Sequence, residues 1–325
     1  MCERVPGRAP SDTRHFTTYV PVSTILNNAR FRREAAVLPR PYLVGLVGAG
    51  VGPSLSPAIH MLEARALGLD YVYRTVDLTA WGVPPSEIGT LLHYAGTLGY
   101  DALNITHPCK QLVVEHLDRV AEQAARLGAV NTVIFSGGAT TGYNTDQRGF
   151  ATALATELPG AAKDVVVQLG AGGAGAAVAD ALLESGVEQL ILVDRDEDKA
   201  VALAAQLAAR FPAAGVEASQ ADKLPMLIPA ADGLVHCTPT GMADHPGIPV
   251  DPTLLHAGLW VADIVYRPLE TALLHAARAA GCRVLHGGYM VVHQAAETLQ
   301  LVTGREPDVA RMLRTFAGLV DRSQA

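Results

Sequence analysis

The sequence predicts an α/β protein with parallel sheets, and three observations carry that expectation. From Pro41 onward, short apolar runs alternate with alanine- and leucine-rich helical stretches, the pattern of strands joined by crossover helices. The stretch GAGGAG, Gly170 to Gly175, stands between the apolar run DVVVQL and the helical run AAVADALLES. An earlier glycine-rich stretch, GAGVGPSLSP from Gly48 to Pro57, follows the apolar run YLVGLV but is built differently. A length of 325 residues suggests about two domains, and a hydrophobic content of 49% suffices for substantial cores.

In order along the chain, YLVGLVG reads as a strand, PAIHMLEARALGL as a helix and YVYRTVDL as a second strand. EIGTLLHYAGTLGY then reads as a helix and YDALNIT as a third strand. QLVVEHLDRVAEQAARLG is expected to form one helix leading to the hairpin-like AVNTVIFSGGATTGYNTD. DVVVQL, AAVADALLES and QLILVD follow as strand, helix and strand. No solenoid period is visible.

The second glycine loop has the frame of a dinucleotide site. Gly170 serves the tight turn, Gly172 lets the backbone approach a pyrophosphate, and Gly175 allows close packing of helix on strand. Amides at the helix N-terminus face the phosphates. The next strand ends at Asp194, placed to accept hydrogen bonds from an adenosine ribose. The alternative is a purely structural glycine turn.

The first loop fails as a phosphate cradle. Its spacing is GxGxG, and Pro53 and Pro57 flank SLS where a first helical turn would otherwise offer free amides. It offers two hydroxyls instead, Ser54 and Ser56, which in an extended segment point the same way while Leu55 points inward. Such a pair suits a carboxylate or polyol, or else caps the helix that follows. Thr106 and Lys110, in NITHPCKQ, fall at the carboxyl edge of a parallel sheet, where open α/β folds bind ligands. A lysine at a helix N-terminus opposes the helix dipole, so another role is expected for it. VNTV and GYNTDQRGF add Asn131 and Asp146 as polar side chains in apolar or tight-turn surroundings.

Composition narrows the partners. A net charge of −7 with no basic face argues against nucleic acid. Cys2, Cys109, Cys237 and Cys282 form no CxxC pair, and no HExxH occurs among the eleven histidines, so no disulfide framework and no metal are expected. No apolar run reaches the roughly 18 to 20 residues of a membrane span. The expectation is a cytoplasmic protein acting on a small molecule, as a monomer or homodimer. The first forty residues carry seven arginines against Glu3, Asp12 and Glu34. They read as an extension expected to be poorly ordered, an over-long start, or a transit peptide.

In order and spacing, SLSP, NITHPCK, VNT, NTDQRGF, GAGGAG, CTPTGM, DIVYRPLET and GGYMVVHQA resemble the shikimate and quinate dehydrogenase family. The THP form is similar to quinate/shikimate dehydrogenases of actinobacterial type. The resemblance runs from Tyr42 to the C-terminus and implies three parts after the extension over 1–40. These are a substrate-binding catalytic domain over 41–147, a Rossmann NAD(P)-binding domain (a doubly wound parallel sheet) over 148–286, and C-terminal helices over 287–325 packing back on the substrate domain.

It also implies site residues. Ser54, Ser56 and Tyr266 would take a substrate carboxylate, with Thr106, Asn131 and Gln294 on ring hydroxyls beside Lys110 and Asp146. Gly170, Ala171, Gly172, Gly173, Ala174, Gly175, Asp194, Arg195, Thr238, Ile264 and Gly287 would line the dinucleotide. Oxidising a secondary alcohol needs a base within reach of the hydroxyl while hydride leaves for the nicotinamide. The Lys110–Asp146 pair is expected to handle that proton jointly. The implied reaction is the reversible oxidation of shikimate or quinate to the 3-dehydro acid. A biosynthetic NADP-dependent shikimate dehydrogenase and a non-catalytic ligand sensor are the alternatives. Cys109, His107 and Met61 depart from the commonest family pattern, with Cys109 expected to pack. Asp194 favours NAD by repelling a 2′-phosphate, whereas Arg195 beside it favours NADP; the acidic run around them tips the expectation to NAD.

Overall fold

The computed structural model describes residues 40–324. The expectations for the first forty residues fall, Arg40 apart, outside the described residues, as does Cys2.

The first half builds one sheet. Its elements in order are β1 (Tyr42–Gly48), α1 (Ser56–Ala66), β2 (Tyr71–Asp77), the one-turn α2 (Leu78–Trp81), α3 (Ile88–Thr97) and β3 (Ala102–Ile105). Next come α4 (Cys109–Leu112), β4 (Arg119–Val120), α5 (Glu122–Leu127), β5 (Thr132–Ser136) and β6 (Ala139–Tyr143). The strand order is β2-β1-β3-β5-β6-β4. β1 pairs parallel with β2 and β3, but β5 runs antiparallel to β3 and to β6, so this sheet is mixed. The antiparallel step is written in SGGA: Gly137 and Gly138 have φ of +60° and +80°, the left-handed pair that a two-residue hairpin requires.

The single helix expected from QLVVEHLDRVAEQAARLG is broken. After α4 a 3₁₀ turn covers Val113–His116, β4 follows, and only Glu122–Leu127 is helical again. Tertiary contacts override the helical pattern here. The Asp118 carboxylate accepts hydrogen bonds from Thr140 N (2.7 Å) and Thr140 Oγ1 (2.9 Å). β4 then covers the open edge of β6. Leu117 packs where a Cβ on Gly142 would come within 2.5 Å of it.

The helix α6 (Thr145–Glu157) links this sheet to the second. The second half runs through β7 (Val165–Leu169), α7 (Gly173–Glu184), β8 (Gln189–Val193), α8 (Glu197–Arg210), β9 (Gly215–Ser219), the short α9 (Leu224–Leu227) and β10 (Gly233–His236). It closes with β11 (Trp260–Asp263), α10 (Ala272–Ala279), β12 (Arg283–His286), α11 (Gly287–Thr303) and α12 (Val309–Gln324). The order is β12-β11-β10-β7-β8-β9, with every pair parallel. Counted from β7 this is the doubly wound order 3-2-1-4-5-6, whose switch point lies between β7 and β10. Apolar residues fill both faces, with Val166, Leu190 and Leu192 on one side and Val167, Leu234 and Val261 on the other. Among the described residues no helix is long and apolar enough to cross a membrane.

After β12 the chain returns to the first half. Phe316 and Met312 of α12 pack with Ile59 of α1 and Val292 of α11. Glu63 of α1, itself buried, accepts from Arg311 Nε (2.8 Å), Arg311 Nη2 (2.7 Å) and the Asp308 amide (2.8 Å). Phe316 is 2% exposed, so Phe316→Ala should lower unfolding stability by about 3–5 kcal/mol, the usual cost of emptying a core aromatic site. Denaturant titration measures it, and a loss below about 1 kcal/mol would contradict this docking.

Candidate active site

The carboxyl edge of the first sheet is knitted by short-range bonds. The Thr106 amide donates to Val47 O and the Ala49 amide to His107 O, both at 2.9 Å. Gly48 is a packing glycine, since a Cβ there would lie 2.3 Å from Thr106 Cγ2. The amides of Gly50 and Gly52 donate to Asp77 Oδ1 and Oδ2, each at 3.0 Å. The same carboxylate caps α2 by accepting from Thr79 N and Ala80 N. Desolvation opposes its charge, yet the Gly52, Ala80, Gly50 and Thr79 amides together hold the Asp77 carboxyl below the usual range. The first glycine loop thus wraps an anion supplied by the chain itself.

The serine segment is not extended. Leu55 has helical angles (φ −83°, ψ −11°), Ser56 opens α1, and Ser54 Oγ accepts from the Ser56 amide at 3.2 Å. The reading by strand alternation is therefore corrected: the segment is a turn, and Leu55 reaches the core beside Ile59 and Phe316 through that turn. Tyr266 packs on the same cluster, and Arg267 Nη1 donates to Pro53 O. This brings Tyr266 to the serine segment. Burial pushes the Tyr266 phenol up, with Arg267 pulling the other way.

Lys110 and Asp146 meet. Lys110 Nζ donates to Asp146 Oδ2 at 2.6 Å, with side chains 18% and 10% exposed. Local structure aims both. Asn144 caps α6 by accepting from the Asp146 amide (3.1 Å), and its Nδ2 donates to Ala129 O (3.0 Å). Lys110 O accepts from the Val130 amide at 2.8 Å, fixing the lysine's backbone against the VNT segment. The helix that carries Lys110, α4, is only four residues long, so the carboxylate rather than a long helix dipole defines its surroundings.

Beneath this pair lies a buried polar network. Asn131 Oδ1 accepts from Thr145 N (2.8 Å) and Thr132 Oγ1 (3.0 Å), and its Nδ2 donates to Thr145 Oγ1 (2.9 Å). Thr145 Oγ1 donates to Gln294 Oε1 at 3.4 Å. Asn104 Nδ2 donates to Thr132 Oγ1 (3.0 Å), while its Oδ1 accepts from Tyr73 OH (2.8 Å). Thr298 of α11 sits within 3.4 Å of Asn104, Thr132 and Thr145. Asn131, Gln294, Lys110 and Asp146 are thereby brought together. Tyr73, Asn104, Thr132, Thr145 and Thr298 escaped the sequence reading, although Asn104 carries a signal as the polar residue of the buried strand ALNI.

The second glycine loop is braced by its neighbours and open in front. Gly170 has φ +101°, and a Cβ there would meet Cys237 O at 2.8 Å. At Gly175 a Cβ would come 2.2 Å from Gly170 O. Gln168, buried and unforeseen, donates from Nε2 to Gly170 O (2.9 Å) and Gly175 O (2.8 Å). The Ala171 amide donates to Asp194 Oδ2 at 2.7 Å. Gly172 is the N-cap of α7, Gly173 and Ala174 begin it, and a Cβ at Gly172 or Gly173 would meet nothing within 4 Å. That open face borders a cavity of about 390 Å³ lined by Gly170, Gly172, Asp194, Arg195 and Thr238, with Cys237, Pro239, Thr240 and His245. Ile264 and Gly287 are not among its lining residues; they touch each other at the ends of β11 and β12, where a Gly287 Cβ would be 2.3 Å from Ile264 O.

Cys109 is fully buried and burial pushes its thiol up, in keeping with a packing role. His107 is exposed. Among the described residues no cluster of His, Cys, Asp or Glu could hold a metal ion.

Asp77→Ala should strip the Gly50 and Gly52 amides of their acceptor, so their hydrogen exchange should accelerate while the Gly170 loop keeps its protection. Unchanged exchange at Gly50 and Gly52 would sink this account of the first loop.

Comparison with known proteins agrees with this architecture. Residues 46–133 match the model for the shikimate dehydrogenase substrate binding domain, and residues 166–243 that for the saccharopine dehydrogenase NADP binding domain. The chain is 56% identical to the shikimate dehydrogenase (NADP(+)) of Streptomyces avermitilis over 278 residues, 86% of this chain and 96% of the relative. It is 47% identical to the quinate/shikimate dehydrogenase (NAD(+)) of Corynebacterium glutamicum over 278 residues, 85% and 98% of the two chains. A solved quinate dehydrogenase from Corynebacterium glutamicum in complex with NAD superposes with a TM-score of 0.80 at 46% identity, covering 86% of this chain and 99% of the other. A mixed sheet carrying a lysine–carboxylate pair, joined to a doubly wound sheet with an open glycine loop, together with these identities, makes the chain a member of the shikimate and quinate dehydrogenase family of NAD(P)-dependent oxidoreductases.

Proposed function

We propose that the chain catalyses the reversible NAD(P)-dependent oxidation of the ring hydroxyl of shikimate or quinate to the 3-dehydro acid. The observation that carries the reading is the Lys110–Asp146 contact of 2.6 Å at the carboxyl edge of the first sheet. The residues at the second glycine loop fit a dinucleotide, because Gly172 and Gly173 stand at the N-terminus of α7, where amides favour a phosphate, and a Cβ at either would meet no protein atom within 4 Å. When bound, the nicotinamide supplies a hydride acceptor.

Lys110 and Asp146 take the proton from the reacting hydroxyl and return it in the reverse direction; the ammonium form also stabilises a developing alkoxide. Ser54, Ser56 and Tyr266 hold the substrate carboxylate, while Thr106, Asn131 and Gln294 hold its hydroxyls. Asn131 contributes its remaining amide hydrogen, since its oxygen is occupied by Thr145 and Thr132. Helix α11 links the two halves of the site: Gly287 abuts Ile264 and Gln294 reaches Thr145 seven residues later, about 10 Å along a helix. We assign 41–147 to substrate and 148–286 to dinucleotide, with 287–325 closing back on the first part. The separated free cysteines Cys109, Cys237 and Cys282 support a cytoplasmic setting.

For the cofactor, the reading favours NAD. Asp194 is held beside the loop by the Ala171 and Asp196 amides, and its carboxylate opposes a 2′-phosphate. A second reading, NADP-dependent formation of shikimate, is favoured by the 56% identity to a relative named for NADP(+) and by exposed Arg195 on the same cavity.

Steady-state kinetics with shikimate and quinate against NAD and NADP decides between them. A tenfold or greater preference for NADP would overturn the cofactor assignment, and no turnover in any combination would overturn the function. Lys110→Ala should lose about two or more orders of magnitude in kcat while dinucleotide affinity stays unchanged. Near-normal turnover of that variant would remove Lys110 from the chemistry. Gly172→Val should fold normally, since a Cβ there would meet no protein atom within 4 Å, yet lose dinucleotide binding by filling the cleft; retained affinity would place the pyrophosphate elsewhere.

A further inference from the structure

The carboxyl edge of the second sheet holds a buried imidazole–carboxylate pair that the proposed reaction does not use. His236 ends β10 and Asp263 ends β11, and both side chains are completely buried. His236 Nδ1 lies 2.9 Å from Asp263 Oδ1, and His236 Nε2 lies 2.5 Å from Thr238 Oγ1. Asp263 is an acceptor throughout: Oδ1 also takes the Val265 amide (3.0 Å), and Oδ2 takes Thr271 Oγ1 (2.7 Å). Thr271 is itself fixed as the N-cap of α10, accepting from the Leu274 amide at 3.2 Å. Thr238 lines the cavity in front of the glycine loop, and its methyl group would be 3.1 Å from a Cβ on Gly170.

This chain of contacts has a direction. A carboxylate that only accepts requires an imidazole proton on Nδ1, and when that is the ring's single proton Nε2 presents a lone pair. The Thr238 hydroxyl hydrogen then points at the imidazole. Thr238 Oγ1 accepts from the Thr240 amide at 3.3 Å, which leaves one lone pair of that oxygen for the cavity.

We propose that His236 and Asp263 are positioning residues of the dinucleotide cleft: they orient the Thr238 hydroxyl so that it accepts a hydrogen bond from an O–H or N–H group of the ligand. A ribose hydroxyl and the nicotinamide carboxamide share that chemistry, and a phosphate oxygen lacks it. The proposal rests on the dinucleotide reading of the cleft and adds what sets its hydrogen-bond polarity.

The test is NADH affinity, followed by fluorescence without the acid substrate, for wild type, His236→Asn, Thr238→Val, Thr238→Ser and the His236→Asn/Thr238→Val double variant. Asparagine can still donate to Asp263 but cannot reach Thr238. His236→Asn and Thr238→Val should each weaken binding about two- to tenfold, the scale of one hydrogen bond, and the double variant should be no weaker than either. Thr238→Ser should keep wild-type affinity. ADP-ribose separates the sources: a Thr238→Val loss confined to NADH points to the carboxamide, and a loss shared with ADP-ribose points to a ribose hydroxyl.

Unchanged affinity in His236→Asn, or fully additive losses, would overturn the proposal, because a purely structural pair would lower melting temperature and leave affinity alone. Should His236→Asn fail to fold, ¹⁵N chemical shifts of the wild-type imidazole decide: protonation at Nδ1 alone supports the proposal and protonation at Nε2 overturns it. A wild-type protein that binds neither NADH nor NADPH would bring down the dinucleotide reading and this inference together.

Discussion

A lysine nitrogen and an aspartate oxygen 2.6 Å apart on side chains 36 residues apart in sequence demand that two backbones be held closely in place. The fold meets that demand with rigid local devices. Asn144 ties the start of α6 to Ala129, and Lys110 O is tied to Val130, so both members of the pair are referenced to the same short segment 129–131. Asn131 then references that segment to Thr145, next to Asp146. The loop of bonds closes on itself. Moving Lys110 relative to Asp146 would break backbone bonds in buried surroundings, each expensive to leave unmade.

The two glycine loops use the same amide chemistry for opposite ends. In the first, Asp77 occupies the amides of Gly50 and Gly52, and the tight glycine, Gly48, serves strand-end packing against Thr106. In the second, Asp194 takes the Ala171 amide of the loop and the Asp196 amide beyond it, while the Gly172 and Gly173 positions face open space. The difference lies in where the acidic side chain arrives. β2 ends at Asp77, whose carboxylate reaches across the first loop, whereas Asp194, one residue past β8, stands to the side of the second. A glycine count alone does not separate these cases.

Much of this was legible in the sequence because it rests on local chemistry. Gly137 and Gly138 announce a hairpin, and the strand–GAGGAG–helix–strand frame announces the doubly wound half, down to the clash that makes Gly175 obligatory. Lys110 and Asp146 could be named, but only their meeting in space makes them a pair. What remained hidden depends on partners far along the chain. The break after Leu112 follows from Asp118 meeting Thr140, and the backbone at Leu55 follows from a turn stabilised by Ser54. Gln168 and Thr298 look unremarkable in sequence, and Asn104, though it stands out as the polar residue of ALNI, has no visible target until the sheets and α11 assemble.

The buried polar side chains under the site carry a thermodynamic cost that packing alone does not explain. Asn104, Asn131, Thr132, Thr145 and Thr298 occupy places where apolar residues would fill the volume with no desolvation penalty. Hydrogen bonding offsets that penalty only when geometry is nearly ideal, so such a network tolerates one arrangement and penalises its neighbours. Its members come from β3, β5, α6 and α11, the elements that carry or flank Lys110, Asp146 and Gln294. An apolar core there would allow α11 to slide by a few tenths of an ångström at little cost. Thr298, within hydrogen-bond distance of Asn104, Thr132 and Thr145 at once, removes that freedom and registers α11 against the first sheet. Because α11 begins at the edge of the second sheet, with Gly287 against Ile264, the same register fixes where that edge stands relative to the first sheet.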